Sequence, residues 1–220
     1  MSTIATLFSG DVSRRIEEVI KVDQTSAEVI ASELDEYVAT DSIRRHFVDV
    51  LELYLETPRK PHEGIAVWVS GFFGSGKSSY AKILGLAIEN RDVLGVGAAK
   101  RCATRTGDPK LTVLLDGINQ NIPTHTVIFD VSTDRGIRSG NQMLTEIMYR
   151  LFLESLGYAK DIELAELEID LETRGQLPEF EAAFKKLHGK DWKTEKGMLS
   201  FAISEARAAL SALNPKVFPQ

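Results

Sequence analysis

The sequence predicts an α/β fold with few parallel strands, a helix-rich N-terminal strap and a helical C-terminal third. Three observations predict it. The apolar run Ile65-Ala66-Val67-Trp68-Val69 leads into a glycine-rich turn, and Ala81, Leu84 and Ile88 follow at helical spacing. A second short apolar run, Thr126-Val127-Ile128-Phe129, stands between Pro123 and Gly136. Elsewhere apolar residues recur every three or four positions, the mark of one-sided helices.

The turn after the first run is G-x-x-x-x-G-K-S, with Gly71, Gly76, Lys77 and Ser78 at the fixed positions. This is a Walker A phosphate-binding pattern, and it sits between a strand signal and a helix signal as such a loop requires. Polyphosphate is held by backbone N–H groups at a helix N-terminus, and glycines let the chain turn tightly enough to aim them. The expected binding residues are Gly71, Gly74, Ser75, Gly76, Lys77, Ser78 and Ser79. Lys77 supplies the catalytic phosphate contact, reaching the β- and γ-phosphates. Ser78 ligates magnesium, and Ser79 is placed for the α-phosphate. No N-K-x-D segment points to guanine, so the expected cofactors are ATP and magnesium. Phe72 and Phe73 inside the loop are expected to pack against neighbouring helices.

Taking the elements in order, residues 1–24 read as a strap. Thr25-Ser26-Ala27-Glu28 has the form of a capping box before a helix carrying Ile30, Leu34 and Tyr37. Thr40 or Asp41 caps a second helix with Ile43, Phe47, Leu51 and Tyr54, ending before Pro58. After the loop helix comes a mixed stretch, 91–110, helical over Ala98–Thr106, and then a short helix over Leu111–Asn119. Leu144, Ile147, Met148 and Leu151 mark a helix ending near Gly157. An acidic helix opens at Ile162. Leu177, Phe180, Phe184 and Leu187 form another, stopped by Gly189. Met198, Phe201, Ala209, Leu210 and Leu213 form the last, and Trp192 is expected to anchor a satellite core. The domain reading is 1–58 for the strap and two flanking helices, 59–157 for the nucleotide-binding core, and 158–220 for a helical segment that continues into a longer protein.

Composition narrows the class. The chain has 220 residues, a formal net charge of −6, 43% hydrophobic and 26% charged residues, and one cysteine, Cys102. That is ordinary globular content, with no internal disulfide and no zinc spacing, and it suits a reducing cytoplasm. No apolar run is long enough to span a bilayer. The acidic balance and the absence of a basic stripe argue against direct nucleic-acid binding through this segment.

A complete phosphate-loop enzyme needs an acidic strand beside the loop. Asp130, after Val127-Ile128-Phe129, is the candidate magnesium-shell residue, but no glutamate follows it. Asp116 has helical flanks. Without an Asp-Glu pair, the residues do not assign hydrolysis to this chain. Arg135 and Arg138 follow the second strand and read as surface residues. Two strands are few for a sheet. Either further strands lie beyond Gln220 in a longer chain, the preferred reading, or helices replace much of the sheet.

Taken together, Val19–Asp23, Glu33–Arg44, Lys60–Gly64 leading into Trp68–Ser79, Val127–Gly136 and Gly189–Trp192 make the chain resemble the N-terminal part of the BREX-system P-loop ATPases of the BrxC and PglY type. The resemblance covers nearly all of this chain and only the first part of those longer proteins. It implies an AAA-like ATPase core portion acting in bacteriophage defence in the cytoplasm, beside a site-specific DNA methyltransferase and a phosphatase-like protein. DNA would be met indirectly if at all, no membrane is involved, and a homo-oligomer is compatible. The helices at 25–39 and 42–57 would cover the adenine. Lys77 and Ser78 carry over to the family pattern; no catalytic glutamate or sensor arginine does. The alternative is a nucleotide-binding interaction module that does not turn over. A small P-loop kinase ranks below both, because the acidic C-terminal third offers no arginine-rich lid.

Overall fold

Helix chemistry dominates the computed structural model, which describes residues 26–60, 66–130 and 144–213, and of 199–202 the backbone only. The strap at 1–24 and the loop with Arg135, Gly136, Arg138 and Gly140 lie outside the described residues. The chain divides between Ile128 and Phe129 into two compact units.

The first unit holds α1 (Ala27–Glu36), α2 (Asp41–Glu56), α3 (Lys77–Glu89), β1 (Asp92–Val93), β2 (Val96–Gly97), α4 (Ala98–Thr106) and α5 (Pro109–Asn121). Local chemistry sets most boundaries. The Thr40 hydroxyl accepts from Ile43 N–H at the start of α2. Asp108 accepts from the Lys110 and Leu111 amides ahead of α5, with Pro109 at the first helical position, where its missing N–H costs nothing. Gly107 closes α4 in the left-handed conformation. The expected capping box at 25–28 is not the one that forms: Ser26 is the cap residue, and its hydroxyl donates to Glu28 at 2.7 Å instead of serving the backbone.

The α/β expectation is overturned. Among the described residues the only β structure is β1 paired antiparallel with β2, Asp92 opposite Gly97 and Val93 opposite Val96, a hairpin whose turn residues Leu94 and Gly95 both take positive φ. Val67–Val69 and Thr126–Phe129, expected as strands of an AAA-like core, form no ladder. The physical reason is that β-branched and aromatic residues report a fit to a pleated surface, while a strand exists only where neighbours take up its N–H and C=O groups. Here side chains of the second segment and its lead-in bond to helices instead. Thr126 Oγ1 donates to the Gly85 carbonyl of α3 at 3.0 Å, and Tyr54 of α2 meets Thr124 through their hydroxyls at 3.0 Å. Trp68 is 91% exposed rather than buried.

α3 therefore buries its inner face on helices. Ile83, Leu86 and Ala87 join Leu34 of α1, Phe47 and Leu51 of α2, and Leu111, Leu115 and Ile118 of α5 in one core. The buried face is turned from the expected one, since Ala81 is exposed. Lys82, 2% exposed, enters this core and meets Glu33 of α1 at 2.6 Å, an ion pair without hydrogen-bond alignment.

The second unit holds α6 (Leu144–Ser155), α7 (Ile162–Thr173), α8 (Leu177–His188), α9 (Trp192–Glu195) and α10 (Leu199–Leu213). Asp161 caps α7 through the Glu163 and Leu164 amides, and left-handed Gly189 ends α8. Trp192 is the anchor the pattern suggested. Its ring stands edge-on to Phe180 and Phe184, both at 5.1 Å, and its indole N–H donates to buried Glu168 at 2.7 Å. Among the described residues, no helix is long and apolar enough to cross a membrane.

Candidate functional site

The site is built where the glycine turn enters α3. Gly76 is the residue before the helix and takes φ 85°, ψ 15°, a left-handed conformation that a side chain would strain. The helical ladder begins with Tyr80 N–H donating to the Gly76 carbonyl at 2.9 Å. The amides of Lys77, Ser78 and Ser79 thus have no intrahelical acceptor and stand at the positive end of a 13-residue helix. Upstream, the Ser75 amide donates to Phe72 O at 3.2 Å, which closes the turn. Gly71 lies so near Ser75 that an added Cβ would come within 2.7 Å of its hydroxyl oxygen.

Lys77 leans back over the turn. Its Nζ donates to Gly71 O at 3.0 Å and Phe72 O at 2.7 Å. The ammonium is thereby held on the mouth of the turn, next to the open amides of its own helix. Positive charge, aimed N–H groups and a helix terminus together make an anion site of the kind that takes phosphate.

This turn forms one side of a pocket of about 490 Å³. Gly71, Ser75, Gly76 and Lys77 line it, so four of the seven expected binding residues meet there. Gly74, with φ 77°, sits in the turn, and Ser78 (exposed) and Ser79 (half-buried) follow on the first turn of α3. The opposite side comes from α2, through Ile43, His46, Asp49 and Val50. Sequence reading placed this helix near the site only through a resemblance. Its pocket face is legible after the fact as the i, i+3, i+7 row beginning at Ile43. Tyr80 closes the floor, its ring stacked on Phe47 with centroids 4.5 Å apart. Burial, and then the Asp49 charge, push the Tyr80 phenol above its usual value. Trp68 and Phe72 also line the pocket, and both are more than nine-tenths exposed. Phe72 and Phe73 do not pack on helices as expected; Phe73 is fully exposed.

The remaining candidates fall elsewhere. Asp130 belongs to the second unit, exposed, at the end of segment 122–130. Asp116 is exposed on α5. Among the described residues, no three His, Cys, Asp or Glu side chains cluster as a metal cage. Magnesium can also be held through one hydroxyl beside phosphate oxygens and water, and Ser78 is an exposed hydroxyl on the first turn of α3. No protein-family model matches the chain, and no solved structure matches it.

Proposed function

We propose that this chain binds magnesium ATP through the turn at 71–79, with the phosphates on the α3 N-terminus and the nucleoside in the pocket against α2. The observation that carries the reading is Lys77 held across the turn beside the open amides at the start of α3, in a G-x-x-x-x-G-K-S sequence. On this reading Lys77 exchanges two carbonyls for phosphate oxygens, which are stronger acceptors for an ammonium. Ser78 offers its hydroxyl to magnesium. The proposal concerns a binding site and does not depend on a parallel sheet.

The proposed setting is the N-terminal segment of a BREX-type phage-defence ATPase, with a methyltransferase and a phosphatase-like protein as partners. Its support is the residue likeness set out above. A second reading, a nucleotide-binding interaction module without turnover, draws on one observation. Among the described residues Asp49 is the only carboxylate lining the pocket, and it lies on α2 rather than on a segment beside the loop.

Titrating the chain with Mg-ATP while following Trp68 tests the binding reading, because Trp68 lines the pocket. Emission should change saturably in wild type and in a Trp192→Phe background, and the response should vanish in Trp68→Phe. A flat response together with no binding in equilibrium dialysis refutes it. Phosphate release separates the two readings: turnover supports the ATPase, and saturable binding without release supports the module.

A further inference from the structure

Asp49 is the pocket residue that a phosphate site does not explain, because a carboxylate facing a polyanion repels it. It makes no hydrogen bond or ion pair among the described residues. Of the cations around it, Lys110 pairs with Glu52 at 2.6 Å, Arg44 pairs with Asp41 and donates to the Thr106 carbonyl at 3.3 Å, and Arg45 gives its Nε to the Asp41 carbonyl at 3.3 Å. Asp49 also borders a second cleft, which it shares with those three cations, so it stands on the ridge between the two hollows. His46, one turn away on the same face of α2, is already close to Ser42 Oγ at 3.4 Å. Asp49 is thus an unspent, acceptor-only group at the edge of a pocket whose other walls are apolar, aromatic or phosphate-seeking.

A nucleoside triphosphate offers three chemistries in a fixed order: phosphates, a diol-bearing sugar and a flat heterocycle. The phosphates belong at the α3 N-terminus. The flat faces of Trp68 and Phe72 suit the heterocycle, since aromatic rings stack on any base. The sugar hydroxyls are donors in need of an acceptor, and a carboxylate takes such hydroxyls well.

We propose that Asp49 reads the sugar, accepting the 2′- and 3′-hydroxyls, so that the pocket prefers ribonucleoside over 2′-deoxyribonucleoside triphosphates. This rests on the phosphate-turn reading and deepens it by naming the ligand class and a specificity-determining residue.

The experiment is calorimetric titration of wild type and Asp49→Ala with the magnesium complexes of ATP, dATP and ITP. Asp49 is exposed on a helix, where alanine is a better helix former, so the variant should fold; circular dichroism checks this. A charged hydrogen bond predicts that wild type favours ATP over dATP roughly tenfold or more. In Asp49→Ala the two should bind alike, with dATP affinity no weaker than in wild type. The ratio carries the test, because loss of a negative charge can strengthen both together. Equal affinities in wild type, or a preference that survives in the variant, overturn the inference while leaving the phosphate site standing. So does a variant that loses discrimination between ATP and ITP but not between ATP and dATP, since Asp49 would then read the base. If wild type binds none of the three, the phosphate-site reading falls and the inference falls with it.

Discussion

Removing the Glu168 carboxylate should unfold the second unit at much lower denaturant. Glu168 is 3% exposed on α7 and accepts three donors: the Ala159 amide at 2.6 Å, the Trp192 indole at 2.7 Å and the Lys196 ammonium at 3.0 Å. It therefore ties the chain after α6, the core tryptophan and the end of α9 to a single side chain. In Glu168→Ala the amide and indole N–H groups lose their acceptor inside the core, at about 1–3 kcal/mol each. Lys196 suffers less, because it is half-buried and still reaches the Gly157 carbonyl. The sum is about 3–5 kcal/mol, the range for breaking a buried pair from one side. With a urea slope of about 2 kcal/mol/M, the midpoint should fall by roughly 2 M. Trp192 is a built-in reporter once Trp68, the other of the two tryptophans, is replaced by phenylalanine. Glu168→Gln keeps one acceptor oxygen and the shape but loses the charge and turns its NH2 on one of the former donors, so it should cost less than the alanine variant but not be neutral. A Glu168→Ala midpoint within error of its parent, or a glutamine variant as damaged as the alanine one, would refute the reasoning.

Lys82→Met should lower first-unit stability by about 3 kcal/mol by stranding Glu33, and adding Glu33→Leu should restore most of it, read by urea titration. Gly71→Ala should weaken Mg-ATP binding about tenfold, through the clash with the Ser75 hydroxyl and the positive φ at this position, and Gly71→Ala/Ser75→Ala should recover only the part due to the clash. Cys102 is buried, and burial pushes its thiol from the usual 9.0 up to about 11. Ellman's reagent should therefore react at pH 8 only after unfolding. A thiol whose pKa is raised by folding stabilises the fold fully below its unfolded value, and that contribution is lost as pH climbs through the folded one. Wild type should then lose stability relative to Cys102→Ala between pH 9 and about 11, as read by paired denaturant titrations.

What the sequence made legible was whatever short-range chemistry decides. Thr40, Asp161 and Gly189 act on amides or carbonyls within four residues, so their helix ends could be read from spacing alone. The G-x-x-x-x-G-K-S turn is equally local, and its residues lie together as spaced. The β expectation failed because pairing is not local. Val67-Trp68-Val69 and Val127-Ile128-Phe129 have strand composition, but no strand lies beside them among the described residues. Meanwhile the real hairpin at 92–97 is only two residues deep on each side and leaves no alternation to detect. Asp49 and His46 were invisible for a related reason. Nothing in their spacing singles them out, and only the approach of α2 to the glycine turn brings them to the pocket. Glu168 looked like one of many acids on α7, and its burial depends on Trp192, 24 residues away.

The most direct test of the phosphate site is calorimetric titration of Mg-ATP into wild type and Lys77→Ala. The ammonium makes two hydrogen bonds to the turn and would trade them for phosphate contacts worth about 1.5–3 kcal/mol, so the variant should bind roughly ten- to a hundredfold more weakly while remaining folded. Equal affinity in the two proteins, or no binding by either, would contradict the account.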